Sequence, residues 1–444
     1  MSTKNIKVSI IMPSFNVVKY IQECMDSVIN QTLKDIEIIV VDANSTDGTY
    51  EILKEYEKRD SRVHILEDDK ASTGYANNKA IDFAHGKYIG IVETDDYVRL
   101  DMFEKLYDIA ERTGCEIVKG DYDSFSGDGG NRRFVKHHLV PADKYEKVIK
   151  TNDDSHIFEY VMFNWAGIYR RDFLVKNQIR HQETPGASFQ DNGFFFLAYA
   201  YAENVYFTKD SFYRYRQDNP NSSINNPNKV FCMCDEYDYI ERQLKKDPET
   251  WNKVRYGYLR RRYGACTWTL KKVKSDYRKE LIDRLQSDFR RLIENDEEIN
   301  KIQRLDEFKK EMYLLLHDKE AYYDLIFGKQ NDYVNNKIKL VKKVKKYKNV
   351  LIFGCGERGT RLENLLYSEG INIDAFLDNN KSMKRTTWNN IKILSAEDGI
   401  KKYPQALYIL TPQKGKESLK NNLINEGVNP SNIYIYYERR FIWD

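Results

Sequence analysis

Residues 88–96, YIGIVETDD, decide the fold, because a short apolar run ends there in a dense group of carboxylates. Two similar runs stand upstream, VSIIM at residues 8–12 and IEIIVV at 36–41, and Asp42 ends the second. Stretches with apolar residues at helical spacing separate these runs, so strand and helix alternate along the chain. That alternation predicts an α/β fold with a mainly parallel sheet and helices on both faces. Since ligands of such folds bind beyond the carboxyl ends of the strands, Asp42 and the 93–96 group mark the predicted site.

The composition is that of an ordinary soluble protein. The chain has 444 residues, enough for two or three domains, and its net charge of +3 argues against nucleic acid as a partner. The six cysteines are scattered without paired Cys-x-x-Cys motifs, which disfavours structural zinc and suits the reducing cytoplasm. Residues 1–7 are polar, and no apolar stretch approaches the ~20 residues that span a bilayer. We therefore expect a cytoplasmic protein that meets the inner face of the membrane only peripherally.

The sequence pattern divides the chain into three parts. Residues 1–228 carry the strand–helix alternation and end in a loop rich in proline and asparagine. Residues 229–348 are charged and helical in period, which predicts a helical linker for acceptor binding or oligomerisation. Residues 349–444 restart the alternation of strand and helix and predict a small second α/β domain. The sequence is compatible with a homo-oligomer.

Glu93, Asp95 and Asp96 have the chemistry of a divalent-cation site. Mg²⁺ and Mn²⁺ are typically held by one or two carboxylates together with substrate phosphates, and such a cation stabilises a departing diphosphate. Taken alone, an acidic group after a strand is more often a solvated turn, and Asp101 is a candidate cap for the next helix. The assignment of a cation site to this cluster therefore depends on the motifs around it.

Asp42 opens the segment DANSTDG at residues 42–48. A carboxylate at this strand end is able to accept the ring N–H of a uracil. The alternative is a turn in which Asn44, Ser45 and Asp47 cap the next helix. We assign base binding to Asp42 and capping to the residues after it.

PSFN at residues 13–16, VDANSTDGT at 41–49, GKYI at 86–89 and ETDD at 93–96 form an ordered set of motifs. Together they resemble the family-2 glycosyltransferases over about residues 7–223. The resemblance implies the GT-A nucleotide-diphosphosugar transferase fold and an inverting enzyme that uses Mn²⁺ or Mg²⁺. It implies transfer of a sugar from a nucleoside diphosphate donor, foremost a UDP-sugar, to a hydroxyl of a glycan, lipid-linked or protein acceptor. The implied setting is the synthesis of bacterial surface polysaccharide.

The resemblance assigns roles to individual residues in the first half of the chain. Asp191, in a Phe-Gln-Asp segment before an apolar helix, matches the catalytic base. Glu93, Asp95 and Asp96 match the metal and diphosphate site. Arg216 lies in a Tyr-Arg-Tyr-Arg segment that, with Ser222-Ser223, resembles a lid over the diphosphate. The residues that match donor-binding positions are Pro13, Ser14, Phe15, Asp42, Asn77, Asp95, Trp165 and Arg216.

Four positions depart from the family pattern. Ala43 replaces a frequent second aspartate, Glu93 replaces an aspartate, and Gln190 replaces a frequent glutamate before the base. Asn77 stands where an arginine is common, which removes a charge-assisted contact near the donor. These substitutions leave the donor sugar open, while the metal pair and the base are intact.

A glycine-rich segment, FGCGERG, follows a strand-like run in the last part of the chain. Gly354, Gly356 and Gly359 have the G-x-G-x-x-G spacing, and Asp378 ends the next strand about 20 residues later. This fingerprint of a Rossmann domain predicts a second nucleotide site, for NAD or a sugar nucleotide. The segment lacks evident catalytic residues and resembles the small Rossmann-like domains beside some bacterial sugar transferases. A binding or structural role is therefore favoured over a second enzyme.

Residues 337–348 contain seven lysines interleaved with apolar residues. This pattern fits a basic amphipathic helix that contacts an anionic membrane. A solvated linker helix is the simpler interpretation and the one we favour.

Two other functions fit parts of the sequence. A nucleotidyltransferase shares the sheet type and the acidic metal site, but it requires a basic, glycine-rich phosphate loop after the first strand, and residues 13–16 are not one. A regulatory protein that binds nucleotide sugars would have an inactive first domain, which the intact Asp95, Asp96 and Asp191 disfavour.

Overall fold

The computed structural model describes residues 5–154, 156–161, 163–220, 229–302, 306–379, 386–412 and 415–436, without the side chains of 329–336. The chain forms two compact units. The first unit joins the segment up to Asp123 to His138–Asp324. The second unit joins Ser124–His137 to the segment from Leu325 onward.

A mainly parallel sheet forms the core of the first unit. The strands in this half of the chain are β1 (Val8–Ser14), β2 (Ile36–Asp42), β3 (Val63–Glu67), β4 (Tyr88–Ile91), β5 (Tyr97–Val98), β6 (Ile117–Ser126), β7 (Arg133–His137), β8 (Val148–Lys150), β9 (Gly167–Arg170) and β10 (Asn204–Arg216). Eight of them follow one another in the order β3-β2-β1-β4-β9-β6-β10-β5, and β8 pairs with β10. β1 is parallel to β2 and β4, whereas β9 is antiparallel to β4. The predicted α/β fold with a mainly parallel sheet is confirmed.

Helices cover the sheet of the first unit. They are α1 (Ile21–Ile29), α2 (Thr49–Arg59), α3 (Thr73–Phe83), α4 (Met102–Thr113), α5 (Arg171–Lys176) and α6 (Gln190–Tyr201). β1 and β2 are buried along their whole length, as expected for parallel strands covered on both faces. α1 has its apolar residues at helical spacing and buries Ile21, Cys24, Met25 and Val28.

The middle of the chain is helical, as predicted. Its helices are α7 (Cys232–Leu244), α8 (Pro248–Lys272), α9 (Ser275–Leu292), α10 (Ile299–Ile302), α11 (Asp306–His317) and α12 (Lys319–Val344). Tyr258 and Tyr263 of α8 are buried in the helical region. None of the described helices is both long and apolar enough to cross a bilayer.

The lysine-rich segment at the end of α12 packs part of its apolar face into the core of the second unit. Leu340 and Val344 are buried in a core cluster of that unit, and Ile338 remains exposed. A membrane-binding amphipathic helix places its apolar face in the lipid. Leu340 and Val344, two of the four apolar residues between the lysines, are packed inside the protein, and membrane contact by residues 337–348 stays a prediction.

A second, smaller sheet organises the second unit. Its elements are β11 (Val350–Phe353), α13 (Glu357–Ser368), β12 (Ala375–Leu377), β13 (Thr387–Trp388), β14 (Ile391–Leu394), α14 (Ala396–Lys402), β15 (Leu407–Leu410), α15 (Lys416–Asn425) and β16 (Ile433–Ile435). The strands follow the order β13-β14-β12-β11-β15-β16. All neighbours are parallel except β13 with β14.

The second unit also contains a segment from the first half of the sequence. The Phe134 N–H donates to Asn389 Oδ1 (2.8 Å), and the Phe134 carbonyl accepts from Trp388 Nε1 (3.0 Å). Arg133 forms an ion pair with Glu363 of α13 (2.9 Å), whose side chain is almost fully buried. The strand β7 and the loop before it therefore belong to the second unit, although they lie in the first half of the sequence.

Replacing Arg133 by Ala should destabilise the second unit by about 3 kcal/mol, because it leaves a buried carboxylate unpaired. Burial already raises the pKa of Glu363, and Arg133 opposes that shift. Amide hydrogen exchange should become faster in β11 and β15 and stay unchanged in β1 and β2. Lys136→Ala, on the same strand, is the matched control. Equal exchange in the two variants would show that the ion pair contributes nothing.

Candidate functional site

The carboxyl ends of three parallel strands meet at one edge of the first sheet. In the register of β1 with β2, Ser14 lies beside Asp42. β1 also places Ile11 beside Ile91 of β4. The loops that follow these strands, including residues 93–96, therefore start at the same edge, as the alternation of strand and helix predicted.

Asp42 organises the turn that follows β2. Its two carboxylate oxygens accept hydrogen bonds from Ser45, one from the backbone N–H (2.8 Å) and one from the hydroxyl (2.7 Å). Asn16, after β1, donates its N–H to Ser45 Oγ (2.9 Å) and accepts the N–H of Thr46 (2.9 Å). Asp42 thus takes part in the turn that we had assigned only to the residues after it. Each carboxylate oxygen keeps a second lone pair, so contact with a base remains compatible with this geometry.

Pro13, Ser14 and Phe15 lie beside this turn. The Phe15 side chain is 58% exposed, although it adjoins a fully buried strand. The Ser14 hydroxyl is buried and has no hydrogen-bond partner among the described residues. An exposed aromatic ring beside an unsatisfied hydroxyl offers a stacking face and a polar contact to a flat, polar ligand.

The end of β10 holds the turn that contains Asp95 and Asp96. The Arg216 N–H donates to Asp96 Oδ1 (2.7 Å), and Arg216 Nε donates to the Asp95 carbonyl (3.1 Å). Asn219 Nδ2 donates to Asp95 Oδ2 (2.8 Å). These bonds fix both carboxylates at the sheet edge.

The guanidinium of Arg216 is enclosed rather than open to a ligand. It lies within 3.2 Å of a carboxylate oxygen of Glu23 and 3.3 Å of one of Asp218. It also stands over the ring of Tyr20, 4.4 Å from the centroid, and the residue is 4% exposed. In this conformation Arg216 supports the acidic turn, which differs from the donor contact that the sequence indicated.

Asp191 lies in the first turn of α6, two positions after Phe189, which has a left-handed backbone conformation (φ 67°). Asp191 Oδ1 accepts a hydrogen bond from Asn192 Nδ2 (3.2 Å). The charge of Asp191 contributes to the raised pKa of Glu93. The fold therefore brings the predicted base and the acidic turn into one electrostatic cluster.

Burial raises the pKa of all four carboxylates in this cluster. The pKa of Glu93 rises to about 8, through burial and then through the charges of Asp95 and Asp191. Burial and the charge of Asp95 hold the pKa of Asp96 well above its usual range, and the Arg216 N–H opposes this. Burial likewise raises the pKa of Asp95 and of Asp191. A buried group of like charges favours a bound cation.

The residues present fit a divalent cation that arrives with a diphosphate. Asp96 Oδ2 is buried and has no hydrogen-bond partner of normal length among the described residues. The nearby Tyr213 hydroxyl lowers the pKa of the Asp96 carboxyl and so favours the ionised carboxylate. Within the described part of the chain, no group of three His, Cys, Asp or Glu side chains forms a complete site of its own. Mg²⁺ and Mn²⁺ require only one or two carboxylates when phosphates supply the remaining ligands.

Trp165 and Asn77 are packed in the interior and do not face an open site. The Trp165 ring stacks between Phe163 and Tyr213, with centroid distances of 4.2 Å and 4.5 Å. Asn77 is fully buried, and its Nδ2 donates to the Thr73 carbonyl (2.9 Å). Asn77 Oδ1 has no hydrogen-bond partner among the described residues. In this structure both residues shape the site through packing.

Tyr213, Tyr215 and Asn219 are site residues to which sequence reasoning gave no separate role. The Tyr213 hydroxyl accepts the backbone N–H of Glu93 (3.0 Å). The pKa of Tyr215 is raised by burial and then by the charges of Asp96, Asp95, Asp191 and Glu93. The alternation of tyrosine and arginine along β10 is the sequence pattern that could have identified the two tyrosines, because alternate residues of a strand lie on the same face. Ser222-Ser223 of the predicted lid lies outside the described residues.

The glycine-rich turn of the second unit follows β11 and leads into α13. Gly354 has a φ of 101°, and a Cβ on Gly359 would lie 1.8 Å from the Gly354 carbonyl oxygen, so both positions require glycine. Gly356 faces open space. Asp378 Oδ2 accepts the backbone N–H of Cys355 (3.0 Å) and so closes the turn. Nucleotide binding by this turn stays a prediction.

Comparison with known proteins supports the interpretation of the first unit. Residues 9–176 match the family described as Glycosyl transferase family 2. Glycosyltransferase GlyG of Streptococcus pneumoniae is 30% identical over 216 residues, which cover 47% of this chain and 70% of GlyG. The chain belongs to this family. The glycosyltransferase EpsJ of Bacillus subtilis, described as uncharacterized, is 35% identical over 224 residues, 50% of this chain. The chain spans 64% of the length of EpsJ.

The fold of this family-2 chain also resembles a solved structure. The crystal structure of S. aureus TarS 1-349 in complex with UDP-GlcNAc aligns with a TM-score of 0.58 at 19% identity, over 73% of this chain and 92% of TarS. This likeness confirms the predicted GT-A type of fold. Residues 346–434, inside the second unit, match a family described as C2185-like, N-terminal.

Replacing Asp96 by Asn should abolish cation binding and leave the fold intact. Asparagine retains a side-chain oxygen that accepts the Arg216 N–H, and the substitution removes one negative charge from the buried cluster. The free energy of unfolding in the absence of cation should therefore not fall. With UDP present, Mn²⁺ at about 100 times its Kd should stabilise the natural protein by about 2.7 kcal/mol and the variant by little. Denaturant titrations measure both values. Asp69→Asn, an exposed carboxylate elsewhere, is the control, and equal Mn²⁺ stabilisation of both variants would contradict the assignment.

NAD or a sugar nucleotide should slow amide hydrogen exchange at residues 354–360 if the turn binds a diphosphate. Gly356→Val should abolish that protection, because its side chain would fill the open space in front of α13 without clashing inside the protein. Exchange with each ligand is compared between the two proteins. An absence of protection by every ligand would assign the turn a purely structural role.

Proposed function

We propose that the first unit transfers a sugar from a nucleoside diphosphate donor to an acceptor hydroxyl, with inversion at the anomeric carbon. One observation carries the proposal above others. The strand-end carboxylates Asp95 and Asp96 share an electrostatic cluster with Asp191, which the chain supplies from a separate helix. In the proposed reaction, Asp95 and Asp96 act on the leaving diphosphate and Asp191 acts on the acceptor. Family membership supports the same reaction class.

Asp191 is proposed as the base. Burial raises the pKa of its carboxyl, which makes the ionised group a stronger proton acceptor. In the proposed step the acceptor proton moves to Asp191 as the acceptor oxygen forms a bond to the anomeric carbon. The bond between that carbon and the diphosphate oxygen breaks, and its electron pair leaves with the diphosphate. Attack from the side opposite the leaving group inverts the carbon.

Asp95 and Asp96, with Glu93 beside them, are proposed to hold Mn²⁺ or Mg²⁺ together with the donor phosphates. The cation supplies positive charge that stabilises the departing diphosphate. The protein's own part is to fix these carboxylates in place, through the end of β10.

The donor is proposed to be a UDP-sugar. The exposed ring of Phe15 and the buried Ser14 hydroxyl lie beside Asp42, which is the combination that a base and ribose require. The TarS structure in complex with UDP-GlcNAc, which is similar in fold, supports this donor class. The acceptor is proposed to be a hydroxyl of a glycan, lipid-linked or protein substrate in surface polysaccharide synthesis.

Replacing Asp191 by Asn should lower transfer at least ~100-fold and leave UDP-sugar binding nearly unchanged, since general base catalysis typically contributes that much or more. Transfer is measured by release of UDP from a panel of UDP-, GDP- and CMP-sugars with acceptor glycans and Mn²⁺. Donor binding is measured by calorimetry on the same proteins.

Asn192→Ala, at the next position of α6, controls for disturbance of the helix, because it removes a hydrogen bond to Asp191 and keeps the carboxylate. It should lower transfer far less than Asp191→Asn. Full activity of Asp191→Asn would exclude this residue as the base. Formation of a nucleoside diphosphate sugar from a nucleoside triphosphate would instead favour a nucleotidyltransferase, and binding without turnover of any donor would favour a regulatory protein.

A further inference from the structure

The first unit contains a cavity that none of the proposed donor-site residues lines. Its volume is about 580 Å³, within the range of ligand pockets in proteins. The wall is formed by Tyr199 of α6, by residues of α8 and α10, and by Thr151, Asn152, Asp154, His156 and Phe158. All of these residues lie within the first unit.

Positive charge dominates the wall of this cavity. Lys253, Arg260 and Lys301 line it, against a single lining carboxylate, Asp154. Asp154 is buried and already paired with Lys144 at 2.7 Å, so it adds little negative charge to the cavity. The cavity is therefore a place where an anion is favoured.

Two of the three cationic groups are available to a ligand. Arg260 is committed to Glu159, with an ion-pair distance of 2.9 Å. Lys253 and Lys301 have no carboxylate within ion-pair distance among the described residues, and both are exposed. Two unpaired ammonium groups on separate helices, α8 and α10, can converge on one phosphate or carboxylate.

Aromatic side chains form another part of the wall. Phe158, Tyr199 and Tyr256 line the cavity. Phe158 packs so closely on α8 that a Cβ at Gly257 would lie 2.6 Å from its ring. Aromatic rings combined with a few polar groups are typical of pockets that bind an amphipathic small molecule, and a sugar ring has that character.

α6 connects this cavity to the proposed base. Asp191 lies in the first turn of the helix, and Tyr199 lies eight positions later on the same helix. At a rise of 1.5 Å per residue, the two positions are about 12 Å apart along the helix axis. A saccharide chain that reaches Asp191 could extend over that distance.

We propose that this cavity binds an anionic saccharide unit, a sugar that carries a phosphate or a carboxylate, through Lys253 and Lys301. The two lysines hold the charged group, and the aromatic wall packs against the sugar ring. That the unit belongs to the acceptor glycan rests on the function proposed above, whereas the anion site itself does not. The site selects acceptors by their charge at a distance from the reacting hydroxyl.

The test measures binding of glucose 6-phosphate, glucuronate and glucose by calorimetry, with UDP and Mn²⁺ present at saturation so that the donor site is filled. At least one of the two anions should bind saturably and at least tenfold more tightly than glucose. Which of them binds identifies the charged group as phosphate or carboxylate. Binding should weaken with added NaCl, because the lysines are exposed.

The double variant Lys253→Ala, Lys301→Ala should lose at least tenfold in affinity for that anion. Lys274→Ala with Lys279→Ala, two exposed lysines on the neighbouring α9 segment, is the matched control and should bind normally. Both lysines of the cavity are at the surface, so thermal unfolding of the double variant should match the natural protein. Saturation-transfer NMR on the ligand protons gives a second measure of contact.

An absence of saturable anion binding, or equal binding by the natural protein and the double variant, would overturn the proposal. Asp191→Asn should retain full anion binding, which separates this proposal from the catalytic one. If no donor is turned over and the anion still binds through the lysines, the catalytic proposal fails and the anion site stands.

Discussion

Hydrogen bonds from the end of β10 to the turn after β4 keep together carboxylates that would otherwise repel one another. The Arg216 N–H reaches Asp96, and Asn219 reaches Asp95, from a segment more than one hundred residues further along the chain. Without these donors, like charges at a sheet edge would separate into solvent. The position of the acidic turn, and with it the proposed cation and diphosphate site, depends on this long-range contact.

The same contact explains why the site is costly to fold and useful to a ligand. Burial raises the pKa of Glu93, Asp95, Asp96 and Asp191, so each ionised group is less stable in the protein than in water. Sites of this kind often have a function, because a ligand of opposite charge recovers the lost stability. The enclosed Arg216 adds to this arrangement, since its guanidinium pairs with Glu23 and Asp218 and its charge opposes the raised pKa of Asp95.

Outside the acidic site, the chain has two further features. Ser124–His137 completes the second unit through a buried ion pair and main-chain hydrogen bonds, so that unit is not a simple C-terminal appendage of the sequence. Helices of the middle region form, with residues such as Asp154 and Phe158, a basic cavity on the first unit. α6 carries the proposed base at one end and a wall residue of the cavity near the other.

The sequence by itself determined the fold class, the family and the position of the strand-end carboxylates. Apolar runs that end in Asp42 or in residues 93–96 are local patterns, and parallel strands bring their carboxyl ends to one edge whatever lies between them. Only the tertiary structure decided which side chains support those carboxylates. The sequence of a strand does not specify which segment it pairs with. The hydrogen bonds from β10 and the burial of Arg216 therefore could not be predicted from the sequence. Burial of Trp165 and the packing of residues 124–137 in the second unit likewise depend on contacts between distant segments, which no local period encodes.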